Sequence, residues 1–212
     1  MHHLDEKLMS LVRQQDHLVC FLGGSFMLGA TADQSVSPPD PSTFTASQSD
    51  DFYIGQALIK TCVSLYTSTK TGLAPEIAMF FMKGEEAMMK NDRAGRDWWI
   101  KRQGRAIGVD PPIDARNILR PETVESLFLA YRITGDPIYR FVLRFFPFRS
   151  LVLTRNRECR EWGWQIFQAF ERHCKIPTGG YASIKDVDQV PVEFDDNMET
   201  FWIVSCSSSS RL

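Results

Sequence analysis

From Phe52 to Thr69 the apolar positions Ile54, Leu58, Cys62, Leu65 and Tyr66 fall three or four residues apart, the spacing of one helix face. The same period runs through Val124, Leu127, Phe128 and Tyr131 in Thr123–Thr134, where Gly135 and Pro137 supply a stop. A third helix is predicted over Glu161–Arg172 from Trp162, Ile166, Phe167 and Phe170. Leu18–Ala30 is apolar and Gly-rich and fits strand or helix alike, and Asn197–Ile203 is too short to assign. Between these lie polar connections. Ala32–Ser49, rich in Ser, Pro, Thr and Asp, reads as a surface loop, and Lys83–Ala115 mixes charge, Gly and the Trp98-Trp99 pair, which with Met88-Met89 reads as loop packing. Gly179-Gly180 marks a turn before a brief β segment at Tyr181–Ile184. No internal repeat is visible. The pattern indicates an all-α class with long loops, in which loops at helix ends are the places to look for a site.

With 212 residues, 43% of them hydrophobic, the chain is long enough for one domain with its own core. Its formal charge of -2 gives no basic field for nucleic acid or an anionic membrane, so neither is expected as a partner. Met1–Gln15 has no apolar core of a signal peptide, and Phe141–Thr154 is broken by Arg144, Pro147 and Arg149. By these features alone the chain reads as soluble and cytosolic. The five cysteines, Cys20, Cys62, Cys159, Cys174 and Cys206, match no zinc spacing; read on their own they are buried free thiols, with one disulfide open to them in an oxidising compartment.

The stretch richest in candidate chemistry is Asn117–Phe128. Pro121 suits a first helical turn, which sets Glu122 and Glu125 at the positive end of the helix and three residues apart, with Arg120 beside them. Such a mouth can bind a sugar, a cation or a water; the plainer reading is a helix with acidic first-turn residues. Glu76 follows the turn of Gly72 and Pro75, His17 precedes an apolar run, and Glu199 stands beside aromatics. Each has a plain alternative, respectively a solvated loop acid, a boundary histidine and a helix-start acid. Arg132 and Asp136 read as structural. Signatures of a serine-hydrolase elbow, a zinc protease, a P-loop or a dinucleotide site are missing.

Taken in order, HLVCF (17–21), TGLAPEI (71–77), LRPETVESLF (119–128), YRITGD (131–136), REWGWQIFQAFE (160–171), TGGYASI (178–184) and NMETFW (197–202) resemble the C-terminal half of class I α-1,2-mannosidases, glycoside hydrolase family 47, most of all the fungal endoplasmic reticulum or Golgi type. The resemblance implies an (α/α)7 barrel, incomplete here, with residues 1–212 as a partial catalytic domain. It implies calcium-dependent, inverting removal of α-1,2-linked mannose from high-mannose N-glycans, which needs an acid for the leaving oxygen and a base for the attacking water. By motif, Glu122 matches the proposed base and Glu76 a second catalytic carboxylate. Arg120 matches a residue that binds the mannose ring, His17 and Glu199 match pocket residues near substrate, and Phe201 matches an aromatic that packs on the sugar. Glu125 matches a carboxylate of the same pocket, and with Glu122 and Glu199 it would hold calcium through water. Cys20 and Cys62 match the family disulfide, which implies a secretory compartment, the lumen of the endoplasmic reticulum or Golgi.

The departures from the family pattern are also expectations. The family's first catalytic acid, a further aspartate and the membrane anchor that many members carry belong upstream of Met1. The threonine that grips calcium directly belongs to a C-terminal motif that IVSCSSSSRL does not contain. Residues 141–160 are an atypical insert and 203–212 an atypical tail, both with the look of translated intron. The chain alone is therefore expected to be inactive, and a non-catalytic glycan-binding protein on the same barrel is the alternative.

Overall fold

The computed structural model describes residues 13–31, 40–82, 84–85, 96–101, 112–139, 162–200 and 202. Among the described residues four α-helices dominate: α1 (Phe21–Ala30), α2 (Ala46–Thr67), α3 (Glu122–Thr134) and α4 (Trp162–His173). A three-stranded antiparallel sheet joins β1 (Gln14–Asp16), β2 (Ile77–Phe80) and β3 (Trp98–Trp99) in that order, and a small ladder pairs β4 (Ser183–Ile184) with β5 (Phe194–Asp195). Residues 141–160 and 203–212, expected to be an insert and an atypical tail, lie outside the described residues, as do Met88-Met89 and Phe201.

Leu18–Ala30, ambiguous by pattern, is helical: a 3-10 turn over His17–Cys20 runs into α1. Asp16 starts that turn by accepting from the Leu18 N–H at 2.9 Å. Helix α2 begins earlier than the apolar period implies, inside the segment read as a surface loop. Thr45 and Gln48 form a reciprocal capping box, each side chain accepting from the other's backbone N–H, and this fixes the start at Ala46. The buried face of α2 also differs from the expected one. Gly55, Ile59, Cys62, Val63, Leu65 and Tyr66 are buried, whereas Ile54 is exposed. Helix α3 ends as expected, with Gly135 left-handed at φ 68° and its N–H returned to the Tyr131 carbonyl. Trp98 and Trp99 are strand residues rather than loop packing, and Trp98 is fully buried under Arg96, whose guanidinium lies 4.3 Å from the ring.

Helix α1 lies against both α2 and α3, and small residues make this possible. A Cβ on Gly55 would meet the Gly23 carbonyl at 2.7 Å and Met27 Cγ at 2.7 Å; one on Gly24 would meet Ser126 Cα at 2.9 Å. Ser126 Oγ accepts from the Gly24 N–H at 2.9 Å and donates to the Cys20 carbonyl at 2.6 Å, tying α3 to the start of α1. Cys20 is bonded to Cys62, so α1 and α2 are joined covalently at the same end. Those two cysteines are thus not free thiols. Cys174 does fit that reading: it is buried, unbonded to another cysteine, and burial pushes its thiol up to about 12. Cys159 and Cys206 lie outside the described residues.

The crossing yields a paired expectation. Gly55→Ala forces two helix backbones apart and should lower stability by about 1–2 kcal/mol, because overpacking exceeds the ~1 kcal/mol helix-propensity gain. Gly29→Ala, with nothing within 4 Å of its added Cβ, should keep that gain and raise stability. Urea unfolding of both variants checks the opposite signs; equal effects would contradict the close crossing.

Candidate active site

The site forms where β1 ends, β2 begins and α3 starts. Asp16 pairs with Ile77 across the antiparallel ladder, so the next pair outward is His17 with Glu76, and the His17 N–H bonds the Glu76 carbonyl at 3.0 Å. The Glu76 N–H in turn bonds the Arg116 carbonyl at 2.8 Å. Two segments far apart in sequence are thereby clamped on either side of Glu76.

The third segment is shaped by Asn117. Its backbone exchanges hydrogen bonds with Ile184, its side-chain amide donates to the Ala74 carbonyl at 2.8 Å, and its carbonyl oxygen accepts from the Leu119 N–H at 3.0 Å. That side-chain turn holds buried Leu119 at φ 64°, a left-handed conformation unusual for a γ-branched residue. The chain reverses there and turns Arg120 back toward Glu76. Arg120 Nε donates to Glu76 Oε1 at 2.5 Å, and its Nη1 lies 3.6 Å from Glu122 Oε1. Glu122 is the first residue of α3, at the positive end of the helix.

His17 completes the cluster. Its Nδ1 stands 3.5 Å from Glu122 Oε2, and its Nε2 is 2.9 Å from the hydroxyl of buried Tyr66. Burial works to raise the Glu122 pKa. The His17 contact, the backbone N–H of Glu122 itself and the attraction of Arg120 outweigh it, and the carboxyl is held below its ordinary value. Tyr66 moves the other way. Burial is the main cause, the Thr123 contact works against it, and the negative charges of Glu122 and Glu76 add to the rise, so the phenol keeps its proton at neutral pH.

Of the residues singled out from sequence, the structure thus brings together His17, Glu76, Arg120 and Glu122. Glu125 also sits in the first turn of α3, partly buried. Glu199 accepts a hydrogen bond from the Asn197 side-chain amide at 2.7 Å. Arg132 is exposed, and Asp136 caps a 3-10 turn through the Ile138 N–H, a structural role as read. Two residues that the sequence reading left without a role belong to the site. Tyr66 reads as one more apolar helix position, and only its hydroxyl distinguishes it. Asn117, two residues before Leu119, carries a turn signal that the adjacent acids overshadow.

Calcium needs several oxygens converging on one point. Here the oxygens of Glu76 and Glu122 face a guanidinium and an imidazole, and among the described residues no group of three acidic, histidine or cysteine side chains is placed to hold a metal. The described residues do not form a calcium cradle.

A helix-rich fold with carboxylates, an arginine and an imidazole gathered at helix and strand ends has the makings of a polar-substrate site of the α/α-barrel kind. The fold matches the α-1,2-mannosidase from Trichoderma reesei with a TM-score of 0.62 at 23% identity, covering 93% of this chain and 33% of that one. It is the incomplete α/α barrel that the resemblance implies. The family model "Glycosyl hydrolase family 47" matches residues 1–144 and 145–205, and the chain belongs to that family. It is 38% identical over 196 residues to a mannosyl-oligosaccharide 1,2-alpha-mannosidase of Arabidopsis thaliana, covering 90% of this chain and 27% of that protein. It is 35% identical over 192 residues to the endoplasmic reticulum mannosyl-oligosaccharide 1,2-alpha-mannosidase of Schizosaccharomyces pombe, covering 89% of this chain and 29% of that protein. The chain therefore spans less than a third of the length of these relatives.

Ionised Glu122 facing Arg120 and His17 should stabilise the fold in a pH-dependent way. Its folded pKa is depressed, so its contribution is present above the ordinary glutamate range and disappears as pH falls through the lower, folded value. The stability difference between wild type and Glu122→Gln, followed by urea unfolding, should be largest near neutral pH and shrink under acid. A difference that grows toward low pH would contradict the assignment.

Proposed function

We propose that this chain contributes the base side of the active site of an inverting α-1,2-mannosidase acting on high-mannose N-glycans. The observation that carries the reading is the Glu122 carboxylate, largely shielded from water, set between Arg120 at 3.6 Å and His17 at 3.5 Å. In inversion a base removes a proton from water as the water oxygen bonds the anomeric carbon, while an acid protonates the departing glycosidic oxygen. Glu122 takes the first role: ionised between Arg120 and His17, its carboxylate is free of its proton at neutral pH and can accept one from water. Arg120, fixed by Glu76, presents its guanidinium at the same mouth, where it suits the hydroxyls of a mannose ring. Glu76 is the second carboxylate of the site. Glu125, Glu199 and Phe201 are further positions for the sugar. Glu122, Glu125 and Glu199 are the positions that would reach calcium through water, with its direct ligand supplied from elsewhere.

The Cys20–Cys62 disulfide supports an oxidising lumen, and relatives named for the endoplasmic reticulum favour that compartment over the Golgi. Among the described residues no helix is long and apolar enough to cross a membrane. The family match divides at 144/145, within 141–160, which supports reading that segment as an insert in the domain; 203–212 is read as an atypical tail.

The test is release of free mannose from a high-mannose N-glycan by the longest native polypeptide that carries this sequence, with and without Glu122→Gln. Loss of a general base should lower the rate by about 100-fold or more while the variant still folds. Near-normal trimming by the variant would remove Glu122 from its role. Glycan binding with no trimming by either protein would favour the non-catalytic alternative.

A further inference from the structure

His17 is held from three sides. Its backbone N–H is fixed by Glu76, one ring edge meets the buried Tyr66 hydroxyl at 2.9 Å, and the other meets Glu122. His17 Nδ1 and Glu122 Oε2 are both sealed from solvent, neither has a hydrogen bond of standard length, and they face each other at 3.5 Å. Where the imidazole proton sits therefore decides whether that contact attracts or repels. With the proton on Nε2, the ring donates to the Tyr66 oxygen, and the Nδ1 lone pair points at a carboxylate oxygen, two buried acceptors with no proton between them. With the proton on Nδ1, the Tyr66 O–H donates to Nε2 and Nδ1–H donates to Glu122, so each atom has a partner. Thr123 Oγ1, fully buried and without a hydrogen bond of standard geometry, is the natural donor to the phenol oxygen left exposed by that arrangement.

We propose that Tyr66 is a positioning residue: its hydroxyl donates to Nε2 of His17 and fixes the neutral Nδ1–H tautomer, so that Nδ1–H donates to the Glu122 carboxylate. The order along the chain is Thr123 to Tyr66 to His17 to Glu122. A neutral donor steadies the carboxylate without adding a second positive charge beside Arg120, which already meets both Glu76 and Glu122. The catalytic meaning of this arrangement rests on the reading of Glu122 as the base, whereas the tautomer itself does not.

The experiment is long-range proton–nitrogen correlation NMR on the uniformly nitrogen-15-labelled full chain at neutral pH, with the His17 signals identified by their loss in His17→Gln. Wild type should show Nδ1 as the protonated nitrogen and Nε2 as the bare one, together with a slowly exchanging Tyr66 hydroxyl proton correlated to Nε2. In Tyr66→Phe the tautomer should shift toward Nε2–H. A proton on Nε2, or a doubly protonated ring, in wild type overturns the proposal, and so does an unchanged tautomer in folded Tyr66→Phe. If that variant does not fold, the hydroxyl correlation in wild type decides: its presence supports the proposal and its absence overturns it. Trimming activity is not the readout. A failed Glu122→Gln prediction would leave the tautomer standing, and a wrong tautomer would leave the Glu122→Gln result standing.

Discussion

The sharing of one guanidinium by two carboxylates largely shielded from water governs the geometry around it. Glu76 and Glu122 are each largely removed from water, and a carboxylate so placed costs several kcal/mol unless a cation answers it. Arg120 answers both, by a 2.5 Å bond to one and a 3.6 Å contact to the other. An arginine suits this position because its planar, always charged fork can address two directions at once, which a lysine ammonium on a flexible stem does less well. The left-handed turn at Leu119 is the local consequence. Without it Arg120 would run on with the chain instead of turning back to Glu76, and the Asn117 side chain is what holds the turn.

The scaffold can keep these groups in place because each comes from a separately anchored element. The β1–β2 ladder sets His17 against Glu76 by register alone. Asn117 links the arginine turn to β4 and to the Ala74 carbonyl. The Cys20–Cys62 bond and the glycine-lined crossing of α1 with α2 place Tyr66, near the end of α2, behind His17. Packing, covalent linkage and hydrogen bonding therefore converge on the imidazole and the two carboxylates. The sugar chemistry proposed for the site draws on family membership together with this convergence, and not on any one residue.

The sequence made some of this legible and hid the rest, for physical reasons. Helices α3 and α4 were readable from their apolar period, and Gly135 from its place after the last periodic residue. The start of α2 was misplaced because polar Ala46–Asp51 shows no apolar period. The capping box at Thr45 and Gln48 was the available signal. Strands β1 to β3 are two to four residues long, too short to show alternation against their surroundings. The site acids were found by motif order rather than by pattern, since each has an ordinary reading by itself. Motif order also grouped Glu199 with them; its side chain accepts from the Asn197 amide. Tyr66 escaped because a hydroxyl on a buried helix face leaves no trace in hydrophobic spacing.

The account stands on Glu122 being ionised at its buried mouth under working conditions. Its carboxyl can be followed directly by carbon-13 NMR across an acid titration of the labelled full chain. A midpoint below the ordinary glutamate value would mean that Arg120 and His17 overcome the cost of burial, as the geometry requires. A midpoint raised to neutral pH or beyond would mean that burial wins, and Glu122 would then be protonated, no standing base, and the reading of this site would be wrong.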